Sequence, residues 1–147
     1  MEQIYTHPKR KTKVVFVQLG SPSEPTTKAL RKYLRKFLGD PRVIDINPWL
    51  WKIILNFFVL PFRPKKSAKL YARIWDGKSF PLITNTRDFT NNVREELKKI
   101  DPNGHVEVNH AFLLSPPYVN EVYDSWEDDL KKGIGATKLL VIPMFPQ

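Results

Sequence analysis

The sequence predicts an α/β domain on a mostly parallel sheet, with helices covering both faces. Three observations point to it. Strand-like runs alternate with amphipathic segments through the chain, and that alternation is the signature of β-α-β connections. The first and last of these runs are apolar and bounded by turn residues, as buried strands are. At 147 residues, with 41% hydrophobic and 27% charged, the chain suits one globular domain, 1–147, and lacks the low apolar content of a disordered one.

"KVVFVQLG" (Lys13 to Gly20) is a β-branched and aromatic run ending in Gly, the pattern of a buried first strand running into a loop. After "SPSEP", Thr26 or Thr27 caps a helix whose Leu30, Leu34, Phe37 and Leu38 recur at helical spacing. "GDP" stops it, and "RVIDI" (Arg42 to Ile46) is either a short strand or an extended link. Residues 48–62, "PWLWKIILNFFVLPF", form the most apolar part, too short and too interrupted for a bilayer that needs roughly 20 residues. Two readings are open for it. One is a helix covering the sheet. The other is an exposed lip, because two Trp and three Phe in so short a span exceed what a core can take, and such a lip meets a membrane or a flat apolar ligand.

"RPKKSAKLYARIW" (Arg63 to Trp75) is basic and reads as helical from a Ser67 cap. "FPLITNT" (Phe80 to Thr86) reads as a further strand. It is followed by a helix with Phe89, Val93, Leu97 and Ile100 on one face. "DPNG" is a turn, "HVEVNHAFL" (His105 to Leu113) a strand, and "SPPYVNEVYDSWEDDLKKG" a helix directing Val119, Val122, Trp126 and Leu130 inward. "ATKLLVIPMF" is the last strand.

Composition narrows the chemistry. Lys and Arg outnumber Asp and Glu by 24 to 15, a net charge of +9, which favours an anionic partner: nucleic acid, phospholipid head groups, or a ligand bearing carboxylates or phosphates. With no Cys, thiolate nucleophiles, disulfides and Cys-ligated metals are excluded. The basic N-terminal arm, about residues 1–12, has no apolar segment of a secretory signal behind it, so a cytoplasmic chain is expected, with membrane contact at most peripheral. The loop "QLGSPSEP" holds one Gly and no Lys, so no nucleotide site is expected. His7, His105 and His110 share no metal-ligand spacing, and a His110 at the inner end of a strand suits a core or loop residue better than a ligand. The "EDD" of Glu127 to Asp129, beside two Lys, reads as a solvated helix face. The basic residues spread over several helices without a nucleic-acid motif, and no nucleic-acid partner is expected.

Four stretches carry a resemblance. "VVFVQLGSPSEPT", "LRKYLRKFLGDPRVID", "LPFRPKKSAKLYARIW" and "KLLVIPMFPQ" are similar, in order and spacing, to the N-terminal half of ferrochelatases, which insert ferrous iron into protoporphyrin IX. The resemblance implies a single Rossmann-like three-layer lobe of an enzyme whose two halves enclose the porphyrin. It implies that Arg63, Tyr71 and Ser79 help hold the propionates, for which a guanidinium fork and a hydroxyl suit a carboxylate. It implies that the lip, including Trp49, Phe57 and Leu60, meets the macrocycle, with Gly20 and Ser21 on the loop beside it. Without the resemblance, Arg63 reads as a solvated charge and Tyr71 as a core ring with its hydroxyl in water.

Two positions depart from the family pattern. Its Gly-Ser-Pro-Leu turn stands here as "SFPL" (Ser79 to Leu82), and its Met-Arg-Tyr after the third strand as "FLL" (Phe112 to Leu114). The family's catalytic His and Glu belong to a second half, and no position here matches them, so no catalytic residue is assigned. The expectation is therefore a truncated homologue that binds haem or porphyrin without inserting iron. It would be a homodimer that buries the apolar surface. If iron is ligated, His7, His110, Tyr118 and Met144 are the candidate axial ligands. Two further readings stay open: iron insertion with a separately encoded second half or as an unusual dimer, and a protein- or membrane-binding module of the haem pathway.

Overall fold

A computed structural model describes residues 11–145. They gather into two compact units: residues up to Leu19 together with those from Asn85 onward, and the segment Gly20–Thr84. The basic N-terminal arm, apart from Lys11 and Thr12, lies outside the described residues, and so does His7.

The first unit is the α/β part. Its three strands, β1 (Thr12–Gln18), β2 (Val106–Phe112) and β3 (Lys138–Pro143), are all parallel, in the order β2-β1-β3. Phe16 of β1 stands between His110 and Ile142, and Val17 between Ala111 and Pro143. Because side chains alternate along a strand, β1 serves two faces. Val15 and Val17, with Ala111 and Leu139, pack against Val119 and Val122 of helix α5 (Val119–Lys131). On the other face the Phe16 ring meets Phe89 edge to face, centroids 5.1 Å apart. Phe89 belongs to helix α4 (Pro81–Ile100), so a helix lies on each side of the sheet as expected.

Helix α4 corrects the expected strand at Phe80 to Thr86. Pro81 stands at the first helical position, where its fixed φ suits a helix and its missing N–H costs nothing. The helix then runs 20 residues, and its buried positions are Thr86 and Thr90, one turn apart. The Thr90 hydroxyl donates to the Thr86 carbonyl at 2.7 Å, which lets these polar side chains lie inside. The expected apolar face is displaced accordingly: Phe89 is partly exposed and Ile100 is 78% exposed. In α5, too, Leu130 points outward, and the Trp126 indole donates to the Ala136 carbonyl at 2.8 Å.

Arg94 of α4 closes the outer edge of β2. Its Nε donates to the Val108 carbonyl at 2.7 Å and one Nη to the Asn109 Oδ1 at 2.9 Å, so part of an open strand edge is occupied. The "DPNG" turn that precedes β2 is held by the Asp101 carboxylate, which accepts from the Val106 N–H and contacts the His105 Nδ1, both at 2.8 Å.

The second unit is helical. Thr26 caps α1 (Thr27–Leu38), its hydroxyl accepting from the Ala29 N–H, and Leu30, Tyr33, Leu34 and Leu38 are buried. "RVIDI" is the link rather than a strand, beginning as a turn in which Val43 N–H donates to Asp40 O. Asn47 then caps α2 (Pro48–Ile54) by accepting from Trp49 and Leu50 N–H. The helix continues without a break through a wide turn at Leu55–Val59 into α3 (Leu60–Tyr71), followed by a short 3₁₀ turn at Ala72–Ile74. Helix α3 therefore begins before the expected Ser67 cap. The wide turn has a local cause: Pro61 has no N–H to donate to Phe57, and its ring needs room at that carbonyl. Leu60 N–H bonds five residues back, to Leu55 O, which widens the turn and makes that room.

Candidate functional site

The helix from Pro48 to Tyr71 carries five of the residues singled out by sequence, and its two faces differ sharply. Leu55, Leu60, Pro64 and Ala68 form its buried stripe. Trp49, Phe57, Phe58 and Phe62 lie outside it, 80%, 70%, 66% and 72% exposed. The segment is a helix with a buried stripe, and these four rings lie exposed on it. Leu60, expected on the lip, is a core residue at 2% exposure, because it falls on the buried stripe. Five cations and no acid occur between Pro48 and Tyr71, so the apolar lip sits in a positive field.

Arg63 is exposed and directly follows Phe62, and no partner holds its guanidinium among the described residues. Tyr71 lies eight residues on, about 12 Å along the helix axis, and its setting is different. Its ring packs edge to face on Phe80 at 5.4 Å and tilted toward Tyr33 at 6.4 Å, while Trp75 packs on Phe80 at 4.6 Å. Tyr33 donates its hydroxyl to the Gly20 carbonyl at 3.3 Å. Burial first, then the charge and hydrogen bond of the Tyr71 hydroxyl, push the Tyr33 pKa well above the usual phenol range. The structure thus brings Gly20, Tyr33 and Tyr71 into one chain of contacts. Gly20 has φ 94, a conformation glycine adopts freely, and Ser21 after it is buried.

Ser79 lies in a separate loop. Its N–H and that of Lys78 donate to the Asp76 carboxylate at 2.6 and 2.7 Å, and these bonds, Ser79 first, hold the Asp76 pKa below the usual carboxylate value. Among the described residues no non-glycine has positive φ, so Ser79 stands without backbone strain. At "FLL", Phe112 is fully buried, and Leu113 and Leu114 N–H donate to Gln18 and Leu19 carbonyls, extending the β1–β2 pairing past the strand.

Of the candidate axial ligands, His7 lies outside the described residues. Among the described residues no three His, Cys, Asp or Glu side chains converge on a metal position. The His110 Nδ1 is enclosed without a hydrogen-bond partner, and its pKa is lowered by burial first and then by the Arg94 and Arg87 charges. Tyr118 caps α5, its backbone N–H donating to Glu121. Met144 continues the β3 pairing through its N–H to Val17 O.

Comparison with known proteins decides the family. The family model described as Ferrochelatase matches residues 11–147. The chain belongs to the ferrochelatase family. It is 42% identical over 136 residues to a ferrochelatase of Psychrobacter arcticus, covering 91% of this chain and 38% of that one. It is 38% identical over 134 residues to a ferrochelatase of Idiomarina loihiensis, covering 91% and 35%. With a ferrochelatase of Francisella tularensis the identity is 36% over 148 residues, covering 99% and 41%. The chain therefore spans about two fifths or less of the length of these relatives. The α/β fold with its all-parallel sheet agrees with one lobe of a ferrochelatase. Among the described residues no helix is long and apolar enough to cross a membrane.

Within this ferrochelatase lobe, sequence reasoning missed Tyr33. It lies between Leu30 and Leu34 on the buried stripe of α1, and its i, i+3 relation to Leu30 was the available signal.

Proposed function

We propose that this ferrochelatase-family chain binds a porphyrin or haem through the lip and Arg63, with Tyr71, Ser79, Gly20 and Ser21 beside that surface. The observation that carries the proposal is the exposure of Trp49, Phe57, Phe58 and Phe62 next to the unpartnered Arg63 guanidinium. A flat apolar ring with carboxylates needs both, aromatic area for the macrocycle and a charged fork for a propionate. In this reading the residues named here bind the ring without inserting iron. A homodimer that buries the lip around the ligand fits the same observation.

Haem titration followed by absorbance tests this. A saturable Soret shift at one haem per chain or per dimer, weakened about tenfold in Arg63→Ala, is expected; a charge-assisted hydrogen bond contributes about that much. An absent Soret shift overturns the haem reading. Formation of the iron chelate on mixing with ferrous iron and protoporphyrin overturns the non-catalytic one.

A second reading has its own observation. Lys65, Lys66 and Lys69 lie close to the exposed Phe62, the pairing by which a helix rests on an anionic bilayer surface. Pelleting with anionic vesicles, without a Soret shift, would favour it.

A further inference from the structure

The second unit contains a cavity of 590 Å³ that includes none of Arg63, Tyr71 or Ser79. It is formed by the end of α1, the link after it and α2. Ile44, Ile46, Trp51 and Leu55 supply apolar walls, and Arg35 and Lys52 are its charged members, both solvent-exposed. No acidic side chain lines it. The neighbouring Asp40 carboxylate is already engaged, accepting from the Arg42 N–H at 2.9 Å.

Two features make the cavity preformed. The Trp51 indole is fixed by donating to the Leu38 carbonyl at 2.6 Å, so its ring forms a rigid wall. Gly39 stands where an added Cβ would lie 2.5 Å from the Arg35 carbonyl, so only glycine fits this turn without displacing the end of α1. The volume lies in the range of small-molecule sites, about 300 to 1,000 Å³, and apolar walls with a few convergent polar groups are what such sites share. Two cations and no acid among the lining residues favour an anion, and the walls favour an apolar body.

We propose that this cavity binds an amphipathic carboxylate, its acidic head between Arg35 and Lys52 and its apolar chain along Trp51 and Leu55. The site is separate from the porphyrin surface and does not depend on that reading.

The test is calorimetric titration of the chain with dodecanoate below its micellar concentration. Saturable binding of one dodecanoate per chain is expected, weakened about five- to tenfold in Arg35→Gln and in Lys52→Gln. It should be unchanged in Arg63→Ala and Lys66→Gln. Both cavity variants change exposed side chains, and an unchanged circular dichroism melt would show that the fold is intact. Equal binding of dodecyltrimethylammonium would overturn the charge selection. Loss of dodecanoate binding in Arg63→Ala would overturn the separateness of the site. Pelleting with phosphatidylglycerol vesicles, without binding of monomeric dodecanoate, would overturn the cavity itself and assign Arg35 and Lys52 to a lipid surface.

Discussion

The Trp51 indole nitrogen reaches the last residue of α1, donating to the Leu38 carbonyl at 2.6 Å, and so ties the lip-bearing helix to the helix before it. Trp51→Phe keeps an aromatic ring and removes the donor together with the second ring of the indole. It should lower unfolding free energy by about 1 kcal/mol, the usual net worth of such a bond. Urea unfolding would show it; an unchanged midpoint would mean the carbonyl is equally well served by water.

Tyr33 supplies an alkaline signature. Its folded pKa is raised from 10.0, first by burial and then by Tyr71, so above pH 10 the unfolded chain loses this proton while the folded chain retains it. Stability is fully present below that pH and declines as pH rises beyond it. Tyr33→Phe should flatten this alkaline decline in a series of melts between pH 9 and 11. A decline of the same slope in the variant would contradict the assignment.

Asp101 acts at the other end of the scale. The contact with His105, and after it the Val106 N–H, holds its pKa below 3.8. That stabilisation is present above the unfolded value and lost as pH falls through the folded one. Asp101→Asn should therefore lower the melting temperature at pH 7 and remove part of the drop seen on acidification from pH 5 to pH 3.

Arg94→Met keeps the aliphatic stem and removes the bonds to Val108 and Asn109. A loss of about 1.5 to 3 kcal/mol is expected, because charged donors to a strand edge are involved. Amide exchange of β2 should accelerate more than that of β3. Uniform acceleration across the sheet would instead indicate a global effect.

Tyr71→Phe and Arg63→Ala should separate in behaviour. Tyr71 shares its hydroxyl with Tyr33, so its loss should lower stability as well as haem affinity. Arg63 is exposed, so its loss should reduce affinity at constant melting temperature. Equal melting-temperature losses in both would contradict this division.

How much of this was legible in the sequence differs by residue. Strand β1 was, because Val14 to Val17 is an unbroken β-branched and aromatic run that no helix pattern imitates. The Thr26 cap and the lip were legible too, the lip as a surplus of rings. The start of α4 was not: "FPLITNT" has strand-like composition, and only the Thr86–Thr90 bond shows how its hydroxyls are hidden in a helix. The pairing of Tyr33 with Tyr71 spans 38 positions, and no local period encodes it. Leu60 was placed on the lip by the resemblance alone, and its burial beside Leu55, five residues back across the wide turn, follows no regular helical period.

That turn has a further consequence. A five-residue hydrogen-bonded step holds one residue more than an α-helical step, so Leu55–Val59 behaves as an accommodated insertion. Removing Asn56, an exposed residue whose amide bonds only the Lys52 carbonyl, would let the helix close normally. Five residues of the wide turn sweep about the angle that four sweep in an α-helix, so Pro48–Ile54 and α3 would keep their faces. Point substitutions can change how greasy the lip is, but its compass bearing is indifferent to one residue of chain length at this turn.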